Sequence, residues 1–156
     1  MDLNQASEWV VVTADSLRPD QVAGWVTRPD CGAVVTFCGT ARANSTLEHE
    51  IIELEYDTDI TLAETRIRAV TAVVRQNWPV VRAIAVHHRI GTVPVTDTAV
   101  VVAVSSPHRR EAFEAAQFCI DAVKRTVPMW KREVWRGGSA WSAEAQDIVN
   151  VDDLIS

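Results

Sequence analysis

Residues 98–135 read TAVVVAVSSPHRREAFEAAQFCIDAVKRTVPMWKREVW, and the changes of pattern along this stretch decide the fold. Thr98 to Ser105 is an apolar, β-branched run, the composition of a strand. A long helix is predicted to start near Pro107, a favoured first-turn residue, with Ser105 or Ser106 as its cap and Glu111 and Glu114 early in it. Phe113, Ala116, Ile120 and Val123 supply its apolar stripe, and Lys124-Arg125 suit the negative end of its dipole. Pro128 stops it. Met129 to Trp135 then reads as a last strand or extended segment, so a strand, a helix and a strand follow one another with no linker between them.

Working outward, Trp9 to Thr13 reads as a first strand and Pro19 to Val26 as a short helix with proline near its first turn. Cys31 to Gly39, apolar and bounded by glycine, reads as a buried strand. Ile52, Leu54 and Tyr56 alternate with Glu53, Glu55 and Asp57, the period-2 pattern of a strand with one core face and one acidic face. Ile60, Ala63, Ile67, Val70 and Val74 recur at helical spacing, which predicts a helix over 59–76 ended by Trp78-Pro79. Arg82 to Ile90 reads as another strand, separated from the one at Thr98 by a turn-rich stretch holding Gly91 and Pro94. Strand runs interspersed with two long helices indicate an α+β domain with a mixed or antiparallel sheet. Residues 1–141 are read as one domain and 142–156 as an acidic tail.

A chain of 156 residues with 47% hydrophobic and 23% charged residues is that of one globular domain. It carries no apolar run of the roughly 20 residues that a membrane span needs, and no signal-peptide pattern at Met1-Asp2-Leu3-Asn4-Gln5, so a cytoplasmic location is expected. Cys31, Cys38 and Cys119, an odd number without a CxxC pair, read as small reduced residues rather than a disulfide or zinc framework. His87 and His88 are adjacent and point to opposite faces of a strand, and neither His49 nor His108 has a ligand partner by spacing, so no metal is expected. No glycine-rich phosphate loop is present, and no cofactor is expected.

The net charge of −6 argues against a general polyanion binder. Between His108 and Arg136, however, Arg109, Arg110, Lys124, Arg125, Lys131, Arg132 and Arg136 outnumber the acids, which suits a small anionic ligand in a pocket. Arg42 follows a strand in Gly39-Thr40-Ala41-Arg42, where a loop on a rigid base presents a guanidinium. His108-Arg109 stands at a helix start, where free N–H groups favour anions. Of the fifteen Lys and Arg residues only Lys124 and Lys131 are lysine. If both face one pocket, each charge lowers the other's pKa and favours a neutral amine, a base or nucleophile that arginine cannot replace. Equally, Lys124 could cap a helix end while Lys131 snorkels from a strand.

Gly39-Thr40-Ala41-Arg42, Leu54-Glu55-Tyr56, His88-Arg89-Ile90-Gly91, Ser106-Pro107-His108-Arg109-Arg110-Glu111-Ala112-Phe113, Ile120-Asp121-Ala122-Val123-Lys124 and Val127-Pro128-Met129-Trp130-Lys131-Arg132-Glu133 together resemble one family in order and spacing. It is the MoaE family, the large, catalytic subunits of molybdopterin synthase, and the resemblance spans roughly residues 8 to 141. It implies an α/β hammerhead fold and a homodimer flanked by two small ubiquitin-like subunits. It also implies a sulfurtransferase activity in molybdenum cofactor biosynthesis. The C-terminal Gly-Gly thiocarboxylate of the small subunit would deliver sulfur to cyclic pyranopterin monophosphate, two transfers making the molybdopterin dithiolene. By motif match the resemblance makes Lys124 and Lys131 catalytic, and Thr40, Ala41, Arg42, His108, Arg109, Arg132 and Glu133 substrate-binding or site-organising alongside them.

One expectation is geometric. His108 and Lys124 lie sixteen positions apart, about 24 Å along an unbroken helix, too far for one tricyclic ligand. A shared site, with Lys124 and Lys131 from one chain and His108 and Arg109 from its mate, follows. Two readings without sulfur transfer stand beside this one: a non-catalytic dimeric paralogue, and a module on the same fold that binds a small phosphorylated metabolite.

Overall fold

The computed structural model describes residues 6–44, 49–142 and 148–154. In chain order the elements are β1 (Glu8–Thr13), α1 (Pro19–Val26), β2 (Ala33–Thr40), β3 (Ile51–Asp57), α2 (Ile60–Asn77), β4 (Ala83–Arg89), β5 (Gly91–Pro94), β6 (Thr98–Ser106), α3 (Arg109–Thr126), β7 (Trp130–Trp135) and β8 (Gly138–Trp141), followed by a 3-10 turn at Val151–Leu154. They form an α+β domain with two four-stranded sheets, ordered β1-β4-β6-β2 and β5-β3-β7-β8. The first is mixed, because β1 runs parallel to β4 while its other pairs are antiparallel. The second is antiparallel throughout.

Period-2 alternation along β4 and β6 explains why helices cover both faces of the first sheet. Ile84, Val86, Val100, Val102 and Val104 turn to one face and pack with Ile67, Val70 and Val74 of α2 and Ala115, Cys119 and Val123 of α3. Ala83, Ala85, Val101 and Ala103 turn to the other, where small side chains let the two-turn helix α1 seat Val22 and Val26. The same alternation sends His87 under α1, edge-on to Trp9 with ring centroids 4.3 Å apart, and sends His88 to the α2/α3 face at the strand's end. Asp59 caps α2, its carboxylate accepting from the Leu62 N–H at 2.9 Å.

Five local features differ from the sequence expectations. Helix α3 begins at Arg109 with His108 as its cap residue, because Ser105 and Ser106 remain in β6, paired with Val34 and Ala33. The stretch Gly91–Pro94 is a strand: Gly91, at φ 77°, turns the chain sharply out of β4, and Val93 then pairs with Leu54 and is fully buried. Residues 138–141 form an edge strand returned by Gly137 at φ 98°. In β3 a register shift between Ile51 and Glu53 gives the core position to Ile51, 2% exposed, and leaves Ile52 52% exposed. Strand β2 is an edge rather than a buried strand, with Val34 and Phe37 exposed.

Part of the acidic tail lies on the helices. The Val149 N–H donates to the Arg125 carbonyl at 3.0 Å, Arg66 donates to the Asn150 side chain at 3.0 Å, and Val151 and Leu154 pack on the main core. Residues 143–147, 155 and 156 of that tail lie outside the described residues.

Two substitutions test this packing. Thr96, in the β5–β6 turn, is the one described non-glycine residue with positive φ, at 81°. A β-branched side chain is costly there, so Thr96→Gly is expected to stabilise the protein by about 1 kcal/mol in urea unfolding. His87 is buried with no partner for Nε2, and burial pushes its pKa down from 6.5 to about 4. Above pH 6.5 neither folded nor unfolded chain protonates it. As pH falls from 6.5 to 4 only the unfolded chain gains the proton, and stability is lost at about 1.4 kcal/mol per pH unit for each such group. His87→Phe keeps a ring against Trp9 and is expected to remove that contribution from the slope of unfolding free energy against pH.

Candidate active site

The two lysines meet because of how α3 ends. The Val127 N–H donates to the Val123 carbonyl at 3.0 Å, closing the last turn, and Pro128 prevents another. The Thr58 hydroxyl donates to the Pro128 carbonyl at 2.6 Å, tying this break to the end of β3. The chain then reverses into β7, where Lys131 lies opposite Tyr56 of β3, and the Ser142 N–H donates to the Lys131 carbonyl at 2.7 Å. Lys124, in the last turn of α3, and Lys131, on β7, thereby face one cleft of about 750 Å³.

The opposite wall is the end of β2 and the loop after it. Gly39, Thr40 and Arg42 line the cleft. Glycine is required at 39, since a Cβ there would stand 2.6 Å from Val100 Cγ1. Ala41 does not reach the cleft: its side chain is 3% exposed, within the small core of the second sheet. Its backbone is the anchor of the loop, its N–H donating to the Asp97 carbonyl at 3.0 Å and its carbonyl accepting from the Thr96 N–H at 2.8 Å. Asp97 is itself paired with the mostly buried Arg89 at 3.1 Å. Arg42 therefore projects from a loop clamped at its root.

Other residues singled out in the sequence lie elsewhere. Arg132 alternates away from Lys131, pairs with Glu55 across β3, and places its guanidinium 5.9 Å from the Trp141 ring centroid. Glu133 is 8% exposed and does not line the cleft. His108 and Arg109 are exposed at the opposite end of α3. Within one chain, then, Thr40, Arg42, Lys124 and Lys131 line one cleft, while His108, Arg109, Arg132 and Glu133 are not among its lining residues.

Several lining residues were not singled out as site residues: Cys38, Tyr56, His88, Met129, Trp130 and Trp141. Cys38 supplies a thiol, but burial pushes its pKa up, so it is not prepared as a thiolate nucleophile. His88 is 8% exposed, edge-on to Tyr56 with centroids 5.2 Å apart, and its Nδ1 lies 2.8 Å from the Arg89 carbonyl. Strand alternation across His87-His88 was the available signal, since it sends one histidine to the helix face where Lys124 lies. Among the described residues no group of three His, Cys, Asp or Glu side chains gathers into a metal site, and no helix is long and apolar enough to cross a membrane.

Two amines, Lys124 and Lys131, and two guanidiniums, Arg42 and Arg125, in a cleft of mixed polar and apolar lining are suited to holding an anionic small molecule and moving protons on it. The family model described as MoaE protein matches residues 12–126, and the chain belongs to that family. It is 42% identical over 134 residues to a molybdopterin synthase catalytic subunit of Taeniopygia guttata, covering 86% of each chain. To that of Homo sapiens it is 40% identical over 134 residues, covering 86% of this chain and 70% of the human one. Among solved structures, molybdopterin synthase from Staphylococcus aureus superposes with a TM-score of 0.80 at 33% identity, over 86% of this chain and 96% of that one. A complex of subunits 1 and 2 of molybdopterin-converting factor from Helicobacter pylori shares the fold, with a TM-score of 0.67 at 18% identity over 91% and 94% of the two chains.

Proposed function

We propose that this chain is the catalytic subunit of a molybdopterin synthase, acting on cyclic pyranopterin monophosphate with sulfur supplied by a small ubiquitin-like subunit. The relatives are named molybdopterin synthase catalytic subunits, and the observation that carries the reading here is the convergence of Lys124, Lys131 and Arg42 on one cleft. A guanidinium on a clamped loop suits the substrate phosphate. The partner's Gly-Gly thiocarboxylate is an anion and is drawn to the same positive charge. In each transfer a carbon–sulfur bond forms on the pterin, and a water molecule then cleaves the partner's acyl–sulfur bond, supplying the oxygen that leaves its terminus as a carboxylate. Protons must move to and from pterin carbons and oxygens as this happens, and an amine does that where a guanidinium cannot. The place of action is the cytoplasm.

The functional unit is a homodimer within a heterotetramer, with the site shared between large subunits. Helix α3 runs unbroken from Arg109 to Thr126, so His108 and Arg109 of one protomer are separated from its own lysines by about 24 Å. Edge strand β2 and helix α3 expose Val34, Phe37 and Phe113, apolar area that a second copy would cover. In that arrangement the mate's His108 and Arg109, at a helix N-terminus, supply the positive charge missing from the far side of the cleft.

Lys124→Arg and Lys131→Arg are each expected to lower dithiolene formation at least 100-fold while the small subunit still co-purifies. A module that merely binds a phosphorylated metabolite would keep its function, since charge is unchanged. Mixed dimers of His108→Ala and Lys124→Ala chains are expected to regain about a quarter of wild-type activity, one intact site in each heterodimer; no recovery rules out the shared site.

A further inference from the structure

His88 sits in the wall of the cleft with half of its chemistry already committed. A backbone carbonyl only accepts hydrogen bonds, so the 2.8 Å contact of Nδ1 with the Arg89 carbonyl requires the ring proton on Nδ1. Nε2 is then a bare lone pair. Tyr56 packs edge-on against the ring and holds its plane, at 75° between rings. Burial pushes the imidazole pKa down to about 4, with the Arg89 hydrogen bond opposing and the positive charge of Lys124 adding to the fall. At neutral pH the ring is an uncharged acceptor in the lining of the same cleft as the Lys124 amine, a donor with three N–H groups.

We propose that His88 is a positioning residue for the reaction of this cleft, its Nε2 accepting a hydrogen bond from the Lys124 amine and fixing where that amine stands over the substrate. Lys124 ends a flexible four-carbon stem in the last turn of a helix, exposed to solvent, and α3 itself supplies nothing that sets the direction of Nζ. A rigid acceptor on the strand opposite does. Lys131 needs no such partner from β4, since it stands on a strand held on both sides by β3 and β8. The inference rests on the sulfur-transfer reading for its effect on rate, but the contact between His88 and Lys124 is a separate matter that can be read without turnover.

The chain has only two lysines, so selective lysine labelling of the large subunit gives two side-chain amine signals in a 15N or 13Cε NMR spectrum, assigned with Lys131→Arg. His88→Phe keeps the ring against Tyr56 and removes the acceptor; His88→Gln returns an acceptor near the position of Nε2. His88→Phe is expected to move the Lys124 signal and leave Lys131 in place, with wild-type 15N shifts showing His88 as the Nδ1–H neutral tautomer at pH 7. In the assembled synthase with thiocarboxylated partner, His88→Phe is expected to lower kcat at least tenfold with KM within twofold, at unchanged Tm, and His88→Gln to recover most of it. An unmoved Lys124 signal, an Nε2–H tautomer, full activity in His88→Phe, or His88→Gln as slow as His88→Phe each overturns the proposal. Wild-type protein that makes no dithiolene but shows the expected NMR response defeats the sulfur-transfer reading and leaves the contact standing.

Discussion

The hydrogen bond from the Thr58 hydroxyl to the Pro128 carbonyl joins the two halves of the molecule at the point where the cleft forms. Pro128 cannot continue α3, and its carbonyl would otherwise be unpaired at a helix end. With that carbonyl held by the residue after β3, the chain leaves the helix toward the second sheet and enters β7 in register with β3. Lys124 on the helix and Lys131 on the strand are thereby brought to one side. A helix ending one turn later, or a β7 slipped by one residue, would send Lys131 to the face now occupied by Arg132.

The two sheets divide the work between rigidity and reach. The first, covered by α1 on one face and α2 and α3 on the other, is a valine and alanine core with the most deeply buried strands, and it carries His88 and the root of the Arg42 loop. The second is a smaller antiparallel sheet whose core is a handful of residues around Leu54 and Val93, and it carries Lys131, Tyr56 and Trp141 to the cleft. Acid and base groups come from both, so the site depends on their junction rather than on either alone. The backbone clamp from Thr96 and Asp97 onto Ala41 belongs to that junction, and its tolerance of a left-handed threonine shows how strongly the surrounding contacts determine that turn.

Much of this was legible in the residues. Proline punctuation bounded the long helices to within a residue or two, and strand alternation separated His87 from His88. What was misread shares one cause: local pattern does not reveal which neighbour a strand will find. Gly91–Pro94 has the composition of a turn and becomes a strand because β3 offers it an edge, and Ile51 displaces Ile52 from the core because of a register shift against β7. Ala41 matched a family motif as a lining residue, yet its methyl faces the core and only its backbone serves the loop.

The sequence by itself determined the order of the elements other than β5 and β8, the α+β class, the concentration of cations after His108 and the singular pair of lysines, because each depends on local chemistry and short-range periodicity. Only the tertiary structure decided which of those cations meet. Lys124, Lys131 and Arg42 converge across a helix end, a strand and a loop that are distant in sequence, while Arg132 points away and His108 stands at the far end of the same helix. The reason is physical: a side chain's direction follows from the register and packing of its element, and those are settled by long-range pairing that no short stretch of residues encodes.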